Sequence, residues 1–135
     1  MGEGLGRSLK LYLDTHVVAW LGSGQSKRIA RPALRVIDSS ELAISPMVLV
    51  ELEYLYEVRK LAKPALAIVE QVEKQLGLAI SDQPFLAVAN TALYEAWTRD
   101  PFDRIIVAQA KSDGYSKLVS SDTHIQRNYS MTVWD

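Results

Sequence analysis

Four acids in this chain stand where a solvated charge is out of place. Asp14 follows the apolar run LKLYL and Asp122 closes KLVSSD, so each falls where a strand hands over to a helix. Glu51 lies inside PMVLVELEYLYEV, flanked on a helical projection by Met47, Val48, Leu55 and Val58, with Glu53, Glu57 and Lys60 on the opposite arc. Asp103, in RDPFDRIIVAQA, has Ile106, Val107 and Ala110 three, four and seven residues on, a core-facing stripe. A buried carboxylate is costly unless it is paired or binds a cation. At an effective dielectric near 20, two such charges about 4 Å apart repel by about 4 kcal/mol, so acids brought together need protons, bases or a cation. Oxygen-only donors point to Mg²⁺ or Mn²⁺. Each acid has a plainer reading beside this one: Asp14 and Asp122 as helix N-caps, and Asp103 as a first-turn acid in a helix that Asp100 already caps.

The two histidines, His16 and His124, each complete a copy of Asp-Thr-His. A zinc site built on them needs two more convergent ligands, and neither has the i+4 partner of a helical zinc motif. The repeat reads instead as a repeated location, the strand-to-helix turn, where Asp and Thr suit capping. There is no cysteine, which excludes disulfides, thiolate ligands and a cysteine nucleophile.

The elements that must position the acids alternate along the chain. Strand-sized apolar runs at LKLYL, LAIS, GLAIS, KLVSS and TVW are separated by helical spacing over Thr15 to Leu21, Arg31 to Ser39, Pro46 to Leu61, Pro64 to Leu76, Pro84 to Glu95 and Pro101 to Ser112. Pro46 after Ser45 and Pro101 after Asp100 have the form of helix starts. This alternation predicts an α/β domain with a central, mainly parallel β-sheet flanked by α-helices, whose ligands bind beyond the carboxyl ends of the strands. At 135 residues one domain suffices, read as residues 9–135 behind a loose leader over 1–8. No stretch approaches the roughly 20 apolar residues of a membrane helix, and a cytoplasmic protein is expected.

Fifteen Lys and Arg against sixteen Asp and Glu give a net charge of -1, which excludes holding nucleic acid by bulk positive charge. The densest basic stretch, KRIARPALR, brings Lys27, Arg28, Arg31 and Arg35 near one another if it is helical, and reads as a solvated helix face.

In order and spacing, YLDTHVVAWL, SPMVLVEL, DPFDRIIVAQA and LVSSD resemble the PIN domain, in particular the VapC-type ribonuclease toxins of toxin–antitoxin pairs. The resemblance spans Leu9 to Trp134, and DPFDR with the apolar pair and Val-Ala-Gln-Ala behind it is its most specific part. It implies a catalytic, metal-holding cluster of Asp14, Glu51, Asp103 and Asp122, with Thr15 supporting the first acid and Ser121 or Thr123 the last. Many relatives have Asn at His16, so no catalytic role is carried onto that residue. The implied activity is Mg²⁺- or Mn²⁺-dependent hydrolysis of RNA to a 3′-hydroxyl and a 5′-phosphate. Arg104 either contacts a phosphate or pairs with a nearby acid. The implied partners are the RNA, a small antitoxin protein whose C-terminal segment fills the groove, and a second copy of the chain, for which ELEYLYEV offers a surface where its residues are not simply core packing. The rival is a PIN-like module with a degenerate site that binds RNA or protein without cutting.

Overall fold

The computed structural model describes residues 10–135, so the leader expected over 1–8 lies outside the described residues. Strands β1 (Lys10–Leu13), β2 (Glu41–Ile44), β3 (Ala79–Ile80), β4 (Lys117–Val119) and β5 (Thr132–Val133) form one sheet in the order β3-β2-β1-β4-β5, with every pairing parallel. Helices α1 (Thr15–Leu21), α2 (Arg31–Asp38), α3 (Pro46–Glu57), α4 (Ala65–Leu76), α5 (Phe85–Ala92), α6 (Pro101–Ser112) and α7 (Thr123–Asn128) make the crossovers and complete the expected α/β class. The inner strands are buried on both faces, with Leu11, Tyr12, Leu13, Ala43, Ile44, Leu118 and Val119 all in the core. Helices cover both sides of such a sheet, which is why its strands read as continuous apolar runs rather than alternating ones.

The first strand lies in the middle. The chain adds β2 and β3 on one side and then returns to add β4 and β5 on the other, so the direction of winding reverses between β1 and β4. In open parallel sheets that reversal opens a crevice beyond the carboxyl ends of the strands. Leu13 pairs with Val119, and the Asp14 N–H donates to the Val119 carbonyl at 3.0 Å, which sets Asp14 alongside Ser120 at the mouth of the crevice.

Two helix starts follow the expected pattern. Ser45 caps α3 by accepting from the Met47 N–H at 3.1 Å, and Asp100 caps α6 by accepting from Phe102 at 2.8 Å; Pro46 and Pro101 follow them. Pro64 and Pro84 instead occupy the N-cap positions of α4 and α5. At α4 the missing cap is supplied by Glu53, whose Oε1 accepts from the Ala65 N–H at 3.0 Å, so a residue expected on the solvent arc ties α3 to α4. Gln109, the buried Gln of the DPFDR motif, holds α6 against the strand ends. Its Oε1 accepts from the Ser45 hydroxyl at 3.0 Å, and its amide nitrogen lies 3.1 Å from Ser81 and 2.8 Å from Gln83.

One expectation is met and one is corrected. Helix α2 begins at Arg31, where its spacing predicts, and the basic residues ahead of it stand on a 3-10 turn over Ser26–Arg28, with Ile29 and Ala30 outside any helix. Pro32, without an N–H, prevents a helix from running through. Helix α3 ends at Glu57 rather than Leu61. There Arg59 takes a left-handed φ of 64°, the Lys60 N–H donates to the Leu55 carbonyl at 2.8 Å and the Arg59 N–H to Tyr56 at 3.0 Å. This is a Schellman closure, and the position Arg59 fills is usually glycine. Arg59→Gly is therefore expected to stabilise the fold by roughly 0.5–1 kcal/mol, because glycine reaches this φ without a Cβ penalty. A thermal melt checks it, and an unchanged or lowered midpoint would count against the strain.

Candidate active site

At the crevice between β1 and β4 lies a cleft of about 350 Å³ lined by the carboxylates of Asp14, Glu51, Asp100, Asp103 and Asp122. His16, Trp20 and Ser121 complete its wall, and no lysine or arginine is among the lining residues. The four acids singled out from the sequence thus share one space, joined by a fifth, Asp100.

Asp14 is 7% exposed and serves two roles at once. Its Oδ1 accepts from the Thr15 N–H at 2.8 Å, capping α1, while its Oδ2 accepts from the Ser120 hydroxyl at 2.6 Å. Burial pushes its carboxyl above the usual range, opposed by those two hydrogen bonds and by the charge of His16. Glu51, on the second turn of α3, accepts from the Thr15 hydroxyl at 2.5 Å. Burial still pushes it up to about 7 against that bond, with the charges of Asp14, Asp100 and Asp122 adding to the rise. Asp103, in the first turn of α6, is also pushed up to about 7, first by burial and then by Asp100, Asp14, Asp122 and Glu51. Asp122 caps α7, its Oδ1 accepting from His124 at 2.8 Å and Ile125 at 3.1 Å, and its own N–H donates to the Ser120 hydroxyl oxygen at 3.1 Å.

Ser120 is the joint of this arrangement. Fully buried, it donates to one strand-end acid and accepts from the backbone of the other. Sequence reasoning chose its neighbours instead. Ser121 does line the cleft, whereas Thr123 is exposed at the start of α7 and is not among the lining residues. Arg104 is also directed elsewhere: its Nε donates to the Glu95 carbonyl at 3.1 Å. Glu95 is itself buried, held by Lys111 at 2.8 Å and by the Trp97 indole N–H at 2.8 Å, so Arg104 helps to fix the loop from which Asp100 emerges. The histidines part company, His16 beside Trp20 in the cleft wall and His124 edge-on to Trp97 at 5.0 Å.

Chemically, the cleft gathers five carboxylates with His16 as their one ionisable nitrogen-bearing neighbour and no lysine or arginine among them. Carboxylate oxygens suit a hard dication. Among the described residues no three of the Asp, Glu and His side chains are already drawn together as a ready coordination shell.

The comparisons with known proteins agree with this architecture. A family model described as PIN domain matches residues 11–130, and the chain belongs to the PIN-domain family. Within it, the chain is similar to Ribonuclease VapC22 of Mycobacterium tuberculosis, at 30% identity over 128 residues, which cover 90% of this chain and 96% of that protein. A chain in the crystal structure of VapBC2 from Rickettsia felis bound to a DNA fragment from their promoter matches with a TM-score of 0.61. That match covers 93% of this chain and 99% of the other at 14% identity, a likeness of fold. The α/β class and the PIN resemblance read from the motifs are both borne out. Among the described residues no helix is long and apolar enough to cross a membrane.

Proposed function

We propose that this chain is a Mg²⁺- or Mn²⁺-dependent endoribonuclease and the toxin of a toxin–antitoxin pair, acting in the cytoplasm through Asp14, Glu51, Asp103 and Asp122. The observation that carries the proposal is the convergence of these acids, with Asp100, in one cleft that no lysine or arginine lines. The similarity to a protein named as a VapC ribonuclease supports it.

The four acids would hold the cation, which when bound lowers the pKa of water and offsets the charge that builds on a phosphodiester. The chain's own residues set the stage. Thr15 orients the Glu51 carboxylate through its hydroxyl, and Ser120 fixes Asp14 relative to the backbone at Asp122. The cap at α7 uses Asp122 Oδ1 and leaves its second oxygen for the cleft. Ser121 stands beside it in the wall, and Thr123 and Arg104 take no part on this reading.

Cleavage of a labelled RNA pool by the purified protein, with Mg²⁺, Mn²⁺ or EDTA, is the test. Cutting that needs metal, leaves 5′-phosphate ends and disappears in Asp14→Asn is expected. Equal inactivity of parent and variant with every metal would instead favour the degenerate binding module. The antitoxin proposal draws on the uncompensated acidic cleft, which a basic segment would complement, and on the likeness to a VapBC structure. Copurification with the product of the adjacent small reading frame checks it, and separate elution at micromolar concentration would refute it. For a second copy of the chain, α3 and its C-cap residue leave Val50, Tyr54 and Val58 exposed while burying Leu52 and Leu55. That apolar surface supports a homodimer.

A further inference from the structure

Beside the acidic cleft lies a second hollow of about 200 Å³, and the two share His16 and Trp20 as a common wall. Its other lining is of a different kind. Arg28, Lys60 and Gln25 bring cations and hydrogen-bonding groups over an apolar floor of Ala19 and Leu55. Trp20 is half-buried and braced by Trp134, with 6.2 Å between ring centroids; the His16 ring lies 6.1 Å from it, and the Arg28 guanidinium carbon is 5.1 Å from its centroid. Arg28 reaches Gln25 at 3.4 Å, and among the described residues neither it nor Lys60 has a carboxylate at ion-pair distance. Two local features of the backbone deliver these cations to one place. The 3-10 turn sets Arg28 apart from Arg31 and Arg35 on α2, and the Schellman closure ends α3 in time to present Lys60.

A polyanion drawn to a cleft of carboxylates must be held by positive charge outside it, and this chain, with a net charge of -1, has no bulk field to offer. Single-stranded RNA is held by bases stacked on aromatic rings and by cations on its phosphates, and a base inside a duplex is not open to such stacking. We infer that the hollow is a nucleotide subsite. It takes an unstacked base of single-stranded RNA against Trp20 and His16, with the adjoining phosphates on Arg28 and Lys60, next to the bond to be cut. The inference rests on the ribonuclease reading and adds to it the residues that would hold a nucleotide beside the acidic cleft.

The test measures binding of a short fluorescent single-stranded RNA in an Asp103→Asn background, and cleavage of the same RNA in the native background. Arg28→Gln and Lys60→Gln, both at exposed positions, are expected to raise Kd and KM about three- to tenfold, and Trp20→Leu about tenfold. In each, kcat should move less than about threefold, and Trp20→Phe should recover most of the loss. Variants that bind and cut like the parent overturn the subsite and leave the ribonuclease reading standing. So does a fall in kcat accompanied by a lowered melting temperature, or a loss confined to antitoxin copurification, which would make the hollow a protein surface. Weakened RNA binding by the variants of a parent that never cuts would support the subsite and remove the ribonuclease reading. A parent that neither binds nor cuts removes both.

Discussion

Asp103→Asn is expected to make the metal-free protein more stable while reducing metal-dependent RNA cleavage by at least about a thousandfold. The two effects have one cause. Burial and four neighbouring carboxylates push Asp103 up to about 7, and no side-chain hydrogen bond offsets them. An amide of the same shape removes the charge that the fold tolerates poorly, for a gain of about 1–2 kcal/mol at neutral pH once solvent screening is allowed for. Asp14→Asn should lose cleavage as severely without the gain. Asp14 accepts from both Thr15 and Ser120, and the new NH₂ group would face a Ser120 hydroxyl oxygen that already accepts from Asp122. Its expected stability is equal to or below that of the parent. Thermal melts in EDTA beside cleavage assays distinguish the pair; an Asp103→Asn protein that melts below the parent would show that the acid is paired in the fold rather than held for a ligand.

Stability of the metal-free protein should fall as pH rises from about 5 to about 8. Glu51 and Asp103, with ordinary values of 4.5 and 3.8, are each raised to about 7 in the folded state. Between those limits the folded chain holds more protons than the unfolded chain, so deprotonation favours unfolding, and the loss levels off above the folded values. The expected loss is on the order of 1–3 kcal/mol after screening on the open side of the cleft. Mn²⁺ should reverse it at pH 8, by about 2.7 kcal/mol at a hundredfold excess over its Kd, and do little at pH 5, where protons compete for the same oxygens. Denaturant unfolding across this range, with and without Mn²⁺, checks both signs. Stability that rises with pH in EDTA would contradict the uncompensated cluster, and indifference to Mn²⁺ at pH 8 would favour the degenerate module.

How far the sequence exposed the site depended on whether each residue announces itself locally. Glu51 and Asp103 interrupt apolar stripes, and Asp14 and Asp122 close apolar runs, so all four were legible without a structure. Ser120 was not, because its role comes from the pairing of β1 with β4, which sets it beside Asp14 across 106 residues of chain. Asp100 was read correctly as a cap, but capping occupies its Oδ1 and hid its place in the cleft wall. The early end of α3 was missed because Arg59, not glycine, fills the left-handed position.

The central position of β1 also bears on how the protein is made. Asp14 and Glu51 leave the ribosome early, but β1 has an open edge until β4 is synthesised and docks, and Ser120 and Asp122 come later still. Long-range parallel pairing is slow and is completed late. A nascent chain stalled before β4 therefore carries Asp14, Glu51, Asp100 and Asp103 without Ser120, Ser121 and Asp122, and the cleft is complete only when nearly all of this domain has been read.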